Sequence, residues 1–205
     1  MKCWIAVIIV IALLTTSIQA DVTPLPQGSP QDIRLVEESL KFYIHKDRMD
    51  VEVIYLFENE GEPVTVEIGF PAWNYDENSE IEQMTFWLGD IGRTPIALET
   101  KEVTTDPYKG KWFTTEIPFS RKTMLTQTYS VISKRRIYSY ILSTGSNWKG
   151  SIRTLNIEVS ADEPYILYHK AFPGAGGMDV VLDKKEYTFH DIEPEEGIIF
   201  VPYYK

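Results

Sequence analysis

Cysteine is nearly missing from this sequence: the only one is Cys3, which precedes an apolar run. If that run is a cleaved leader, the mature chain has no disulfide, thiol nucleophile or thiolate metal ligand. A bacterial lipid anchor needs its cysteine after the apolar run, so that route to a membrane is excluded. Histidine is scarce as well. His45, His169 and His190 lie far apart and form no His-x-His or His-Glu-x-x-His pair, so no metal site is expected from them. Each falls in a strand-like run, where an outward or hydrogen-bonded histidine is ordinary. Positive charge is also short, with 20 Lys and Arg against 30 Asp and Glu and a formal charge of −10. That surplus repels phosphate backbones, so nucleic acid is not an expected partner.

Catalytic signatures are equally thin. No Gly-x-Ser-x-Gly elbow occurs, and Gly145-Ser146 lacks the second glycine, so no serine triad is expected. Gly174-Ala175-Gly176-Gly177 has neither the dinucleotide spacing nor the Lys-Ser/Thr of a phosphate loop, and it reads as a tight turn. No cofactor and no catalytic residue is therefore assigned. No window carries a helical apolar stripe capped at both ends. No repeat recurs at a fixed period, which disfavours a propeller or solenoid.

What is present begins with Met1-Lys2-Cys3, the apolar run Trp4 to Leu14, and small residues up to Ala20. A cationic start, a short greasy centre and a small residue before Asp21 read as a secretory signal peptide over residues 1 to 20. The run falls short of the roughly 20 residues of a bilayer span. An uncleaved N-terminal anchor is the alternative. After cleavage no stable membrane insertion is expected, and the product is exported, periplasmic or extracellular. Residues 21 to 32, rich in proline, read as an extended linker, and 33 to 205 as a β-rich domain in one lobe or two.

Within that domain the side chains alternate. Leu40, Phe42 and Ile44, then Met49, Val51, Val53, Tyr55 and Phe57, read as a hairpin with one wet face. Asn59 to Pro63 turns the chain, Val64 to Phe70 continues the meander, and Pro71 is expected to end that strand. Ile81 to Leu88, Thr94 to Val103, Phe113 to Phe119 and Leu125 to Val131 read as further strands, with Lys134-Arg135-Arg136 as a solvated hairpin tip. Tyr138 to Leu142 and Leu155 to Val159 read as a strand, turn, strand unit with Trp148 at the turn's edge. Tyr165 to Tyr168, Met178 to Leu182 and Tyr187 to Phe189 follow, and Ile198 to Val201 closes a sheet edge. The fold class is all-β, an antiparallel sandwich of short strands joined by hairpins.

Several stretches resemble a family of secreted bacterial proteins classed as a domain of unknown function. They are Glu37-Glu38-Ser39-Leu40, Tyr55-Leu56-Phe57-Glu58-Asn59, Gly69-Phe70-Pro71 and, above all, Tyr140-Ile141-Leu142-Ser143-Thr144-Gly145-Ser146-Asn147-Trp148-Lys149-Gly150-Ser151-Ile152. The last has the pattern Tyr-x-Leu-x-Thr-Gly-x-x-Trp-x-Gly-x-Ile. Ala72-Trp73 follows Phe-Pro where the family tends to a second proline, so the loop there departs from the pattern. The resemblance implies export and a β-rich fold and carries no catalytic residue across.

Aromatic residues are plentiful, and Trp and Tyr serve sugar stacking, protein interfaces and cores alike. Trp87 and Trp112, inside strands, read as core. Trp73 and Tyr75 follow Pro71 in a polar loop, where recognition residues concentrate; with Trp148 they are the candidate ligand-binding residues, and a core role stays open. Asp76-Glu77-Asn78-Ser79-Glu80 offers hard oxygen ligands to calcium, or simply a solvated loop. The leading expectation is a non-enzymatic exported domain that binds a protein or glycan at the cell envelope. The alternative is a hydrolase acting on envelope polysaccharide through an acid pair roughly 5 to 10 Å apart. A third reading is a structural module whose sheet edges pair with another chain.

Overall fold

The computed structural model of the chain describes residues 25–26, 31–74, 79–89, 95–105, 108–142, 147–169, 177–193 and 197–204. They form β1 (Leu25–Pro26), β2 (Ile33–Ile44), β3 (Arg48–Asn59), β4 (Val64–Asn74), β5 (Ser79–Leu88), β6 (Glu99–Thr105), β7 (Tyr108–Phe119), β8 (Lys122–Ser133), β9 (Tyr138–Ile141), β10 (Ile152–Ala161), β11 (Tyr165–His169), β12 (Gly177–Val181), β13 (Lys184–Ile192) and β14 (Gly197–Pro202). The fold is all-β. A six-stranded sheet runs β13-β10-β2-β3-β8-β5; one small sheet runs β1-β4-β7-β6 and the other β12-β11-β14-β9. Among the described residues no helix is long and apolar enough to cross a membrane.

Alternation of side chains makes the six-stranded sheet two-faced. Leu40, Phe42 and Ile44 of β2, Met49, Val51, Val53, Tyr55 and Phe57 of β3, and Leu125, Tyr129 and Val131 of β8 are buried on one side. Both small sheets lie against that side. Phe57 meets Phe119 of β7 at 5.2 Å, and Phe86 of β5 meets Phe70 of β4 at 4.0 Å. Phe42 packs on Phe200 of β14 and Tyr140 of β9 at 5.0 and 5.5 Å. One apolar cluster thus runs through all three sheets, each buried aromatic contributing about 1.5–3 kcal/mol.

Connectivity departs from the expected succession of hairpins in four places. First, β4 does not extend the β2–β3 meander: β8 occupies that side of β3, and β4 pairs with β7 in the other layer. The switch is set at Asn59, whose carboxamide accepts from Gly61 N–H at 2.9 Å and donates to the carbonyls of Glu62 and Phe119 at 2.9 and 3.3 Å. Second, Pro71 does not end β4, which continues to Asn74 with Pro71 opposite Trp112. Among the described residues β1 pairs with β4 at Ile68 and Gly69, and Pro71 is paired only with Trp112 of β7.

Third, Tyr138–Leu142 and Leu155–Val159 are not one hairpin. β9 pairs with β14 in a small sheet, whereas β10 lies between β13 and β2 in the large one. The β2–β10 pairing is parallel, whereas the other ladders among the described residues are antiparallel as expected; β10 arrives by a crossover, which permits the parallel sense. Fourth, β14 is not an edge but sits between β11 and β9. At Gly197 an added Cβ would lie 2.3 Å from the Tyr140 carbonyl oxygen, so glycine is what permits this pairing.

The two layers are joined by polar groups inside the core. Glu38, Tyr55, Gln127 and Tyr140 all have 0% exposure. Tyr140 Oη donates to Glu38 Oε1 at 2.8 Å, Tyr55 Oη donates to Gln127 Oε1 at 3.0 Å, and the two phenols lie 3.2 Å apart. These bonds connect β2, β3 and β8 with β9 of the overlying sheet. Tyr140→Phe strips a buried carboxyl group of a donor, and stability falls by about 1–3 kcal/mol in denaturant unfolding.

Tyr138 and Tyr165 form a second buried pair, 6.3 Å between rings, with the Arg136 guanidinium 5.9 Å from the Tyr165 ring centre. Burial pushes both phenols above the ordinary 10.0, opposed at Tyr165 by Arg136. A phenol raised on folding contributes stability below its unfolded value, and that stability is lost as pH rises through the folded one. Unfolding free energy therefore declines above pH 10.0, and Tyr138→Phe makes that decline shallower in denaturant titrations run across the alkaline range.

Candidate ligand-binding face

The opposite side of the six-stranded sheet carries rows of side chains set by strand register. One row is Thr188, Asn156, Ser39, Ile54, Thr126 and Trp87, from β13 across to β5. The next is Glu186, Glu158, Lys41, Glu52, Thr128 and Thr85; a third is Lys184, Ser160, Tyr43, Asp50, Ser130 and Glu82. Apart from buried Thr126 and Ser130, these side chains are half-buried or exposed. Directly opposed residues on a sheet have Cβ atoms about 5 Å apart, so each row is a continuous contact line.

The rows are bonded internally. Thr188 donates to Asn156 Oδ1 at 3.1 Å, and Asn156 Nδ2 donates to Ser39 Oγ at 3.3 Å. Lys184 spans the like-charged neighbours Glu158 and Glu186 at 3.2 and 2.8 Å, and those carboxylates hold its ammonium above its ordinary pKa, Glu186 most. Lys41 donates to Glu52 at 2.7 Å, and that bond likewise raises the Lys41 pKa. Lys41, Lys184 and Arg48 offset part of the charge on this face, but its carboxylates outnumber its cations: Lys184 serves both Glu158 and Glu186, and Glu82 has no ion pair among the described residues.

At the β3–β8–β5 end the face is indented by about 260 Å³. Tyr43, Arg48, Asp50, Gln83, Thr128 and Ser130 line the depression. Asp50 is held from three sides: Ser130 Oγ donates to Oδ1 at 2.6 Å, and Oδ2 lies 2.9 Å from Arg48 Nη2 and 3.3 Å from His45 Nε2. The other His45 ring nitrogen is 2.9 Å from Asp162. The rim comes from an irregularity in β5, where the register with β8 jumps between Glu82 and Thr85 and Gln83 takes a positive φ of 55°. A bulge of this kind re-aims side chains. Here it reverses their parity, so that beyond it Phe86 turns into the core and Trp87 onto the outer face.

Trp87, expected in the core, is thus half-buried on the face, and sequence reasoning missed it. Trp148 goes the other way. It is 4% exposed, with its ring 4.6 Å from Phe57 and 5.7 Å from Phe119, and has no free ring surface to offer a ligand. The segment leading to β10 crosses between layers there, and the indole fills the crossing. The Trp73 backbone pairs with Gly110 in β4, but its side chain and all of Tyr75 lie outside the described residues, as does most of the proposed calcium loop. The side chains of Trp112 and His169 do too. Within the basic triplet Arg136 is no solvated tip residue: it pairs with Glu163 and leans over Tyr165. Among the described residues no group of three His, Cys, Asp or Glu side chains is arranged to hold a metal ion.

No family model and no curated protein sequence matches the chain. Solved structures resemble it in fold. A provisionally named nutrient binding protein from Legionella pneumophila superposes with a TM-score of 0.69 at 16% identity, over 90% of this chain and 71% of that one. Leukotriene A4 hydrolase from Saccharomyces cerevisiae gives a TM-score of 0.45 at 8% identity, and an M1 zinc metallopeptidase from Deinococcus radiodurans 0.41 at 10%. The chain spans 30% and 44% of those two enzymes. The first likeness is one of fold.

Substitutions at two positions check these placements. Gln83→Gly leaves the melting temperature unchanged or raises it, whereas Gln83→Val lowers stability by about 1–2 kcal/mol, the cost of a left-handed conformation for a branched residue. Trp148→Ala costs about 3–5 kcal/mol, as expected for an aromatic removed from a core. Equal effects of the two Gln83 changes in calorimetry would refute the strained bulge.

Proposed function

We propose that this is an exported, non-enzymatic binding domain of the bacterial cell envelope that takes a glycan on the outer face of its six-stranded sheet. The observation that carries the proposal is the row of hydroxyl and amide groups that ends at the half-buried Trp87, on a face that also holds the exposed Tyr43. Sugars present hydroxyl groups beside apolar ring faces; on this sheet the ladder Thr188-Asn156-Ser39 offers partners for the first, and Trp87, at the other end of the same row, offers a surface for the second. The signal-peptide-like leader and the likeness to secreted bacterial domains support export, and the fold shared with a provisionally named nutrient binding protein is compatible with a binding role.

Purified protein is passed over immobilised envelope polysaccharides, with retention and newly formed reducing ends read together. Retention without reducing-end release is expected. A Trp87→Ala, Tyr43→Ala double variant should bind at least about tenfold more weakly, since aromatic contacts dominate such interfaces, while its melting temperature stays within a few degrees of the parent's. A Trp73→Ala, Tyr75→Ala variant should keep its affinity. Release of reducing ends would replace this reading with the hydrolase one, and loss of binding only in the Trp73, Tyr75 variant would move the site to that loop.

A further inference from the structure

We infer that the depression beside Gln83 is a subsite for a single neutral hexose unit, an inference that rests on the outer face being the glycan-binding surface. Size comes first. At about 260 Å³ the depression is smaller than the ~300–1,000 Å³ of pockets for drug-sized ligands, so its occupant is one small ring, not a chain.

Charge comes second. The ionised groups at the depression are Arg48 and Asp50, paired at 2.9 Å, and Glu52, paired with Lys41 at 2.7 Å. His45 lies between Asp50 and Asp162. An anion finds no uncompensated cation in the lining; the carboxylate beside it without an ion pair among the described residues, Glu82 opposite Ser130, does not itself line the depression, and a neutral hydroxylated ring need not displace an existing ion pair.

Preorganisation comes third. Asp50 is fixed by Ser130, which is only 7% exposed, together with Arg48 and His45. The Gln83 carboxamide and the Thr128 hydroxyl carry no side-chain hydrogen bond among the described residues, leaving donors and acceptors of both kinds for vicinal hydroxyl groups. Tyr43, 37% exposed, supplies the aromatic wall. Gln83 is also held at φ 55°, and backbone strain of this kind concentrates at ligand sites.

The test uses isotopically labelled protein titrated with methyl glucoside, methyl galactoside and methyl mannoside, with glucuronate and glucosamine as charged counterparts. At least one neutral glycoside should move the amide signals of Gln83, Thr128 and the Arg48–Asp50 segment. Tyr43→Ala and Gln83→Gly should each weaken that response about tenfold, the loss of one recognition contact, with melting temperature preserved. Tighter binding of glucuronate or glucosamine than of every neutral glycoside would overturn the inference. So would an equal response in parent and variants, or none. Polysaccharide retention that depends on Trp87 while these signals stay still refutes the subsite alone; absence of both retention and response refutes the glycan-binding reading with it.

Discussion

A buried polar cluster, in which Tyr140 donates to Glu38, Tyr55 donates to Gln127 and the two phenol oxygens touch, is the constraint on which the layered arrangement depends. Apolar packing alone is tolerant: Phe42 against Phe200 or Phe57 against Phe119 would survive small slides of one sheet over another. Polar groups at zero exposure are not, because each displaced donor or acceptor leaves a desolvated partner behind. Tyr140, from the overlying sheet, sits between Glu38 of β2 and Tyr55 of β3, with Gln127 of β8 beyond, so the cluster fixes where that sheet sits.

Much of this architecture was legible in the sequence, because a strand with one buried face writes its period into the chain. The alternation from Leu40 to Phe57 and from Leu125 to Val131 translates directly into the inner rows of β2, β3 and β8. What periodicity does not carry is partnership. Nothing in Val64-Thr65-Val66-Glu67-Ile68 says that β4 joins β7 in another layer, since that choice is made by the Asn59 turn and by the register with Phe113 to Phe119. The parallel neighbour of β2 comes from the far end of the chain, and local pattern is silent about such contacts.

The candidate site was less legible for a specific reason. Trp87 and Trp148 were assigned to opposite environments from those the fold gives them. For Trp87 the error is one of parity: the irregularity at Gln83 exchanges inside and outside for all that follows in β5, and no glycine or proline announces it. For Trp148 a polar neighbourhood disguised a crossing between layers, where the indole is enclosed by Phe57 and Phe119. Asp50, Ser130 and Tyr43 come together only through strand register, and no spacing in the sequence joins them.

The parallel seam between β2 and β10 also bears on how the molecule comes into being. The β2–β3 hairpin has everything it needs soon after synthesis begins, yet the other edge of β2 stays open until β10 exists, after β4 to β9 have all been made. A nascent chain thus holds the free edge of β3 until β8 is made and that of β2 longer still, until β10 is made, and the large sheet closes late and over long range. Any helper that shields unfinished chains would find its target at that edge of β2.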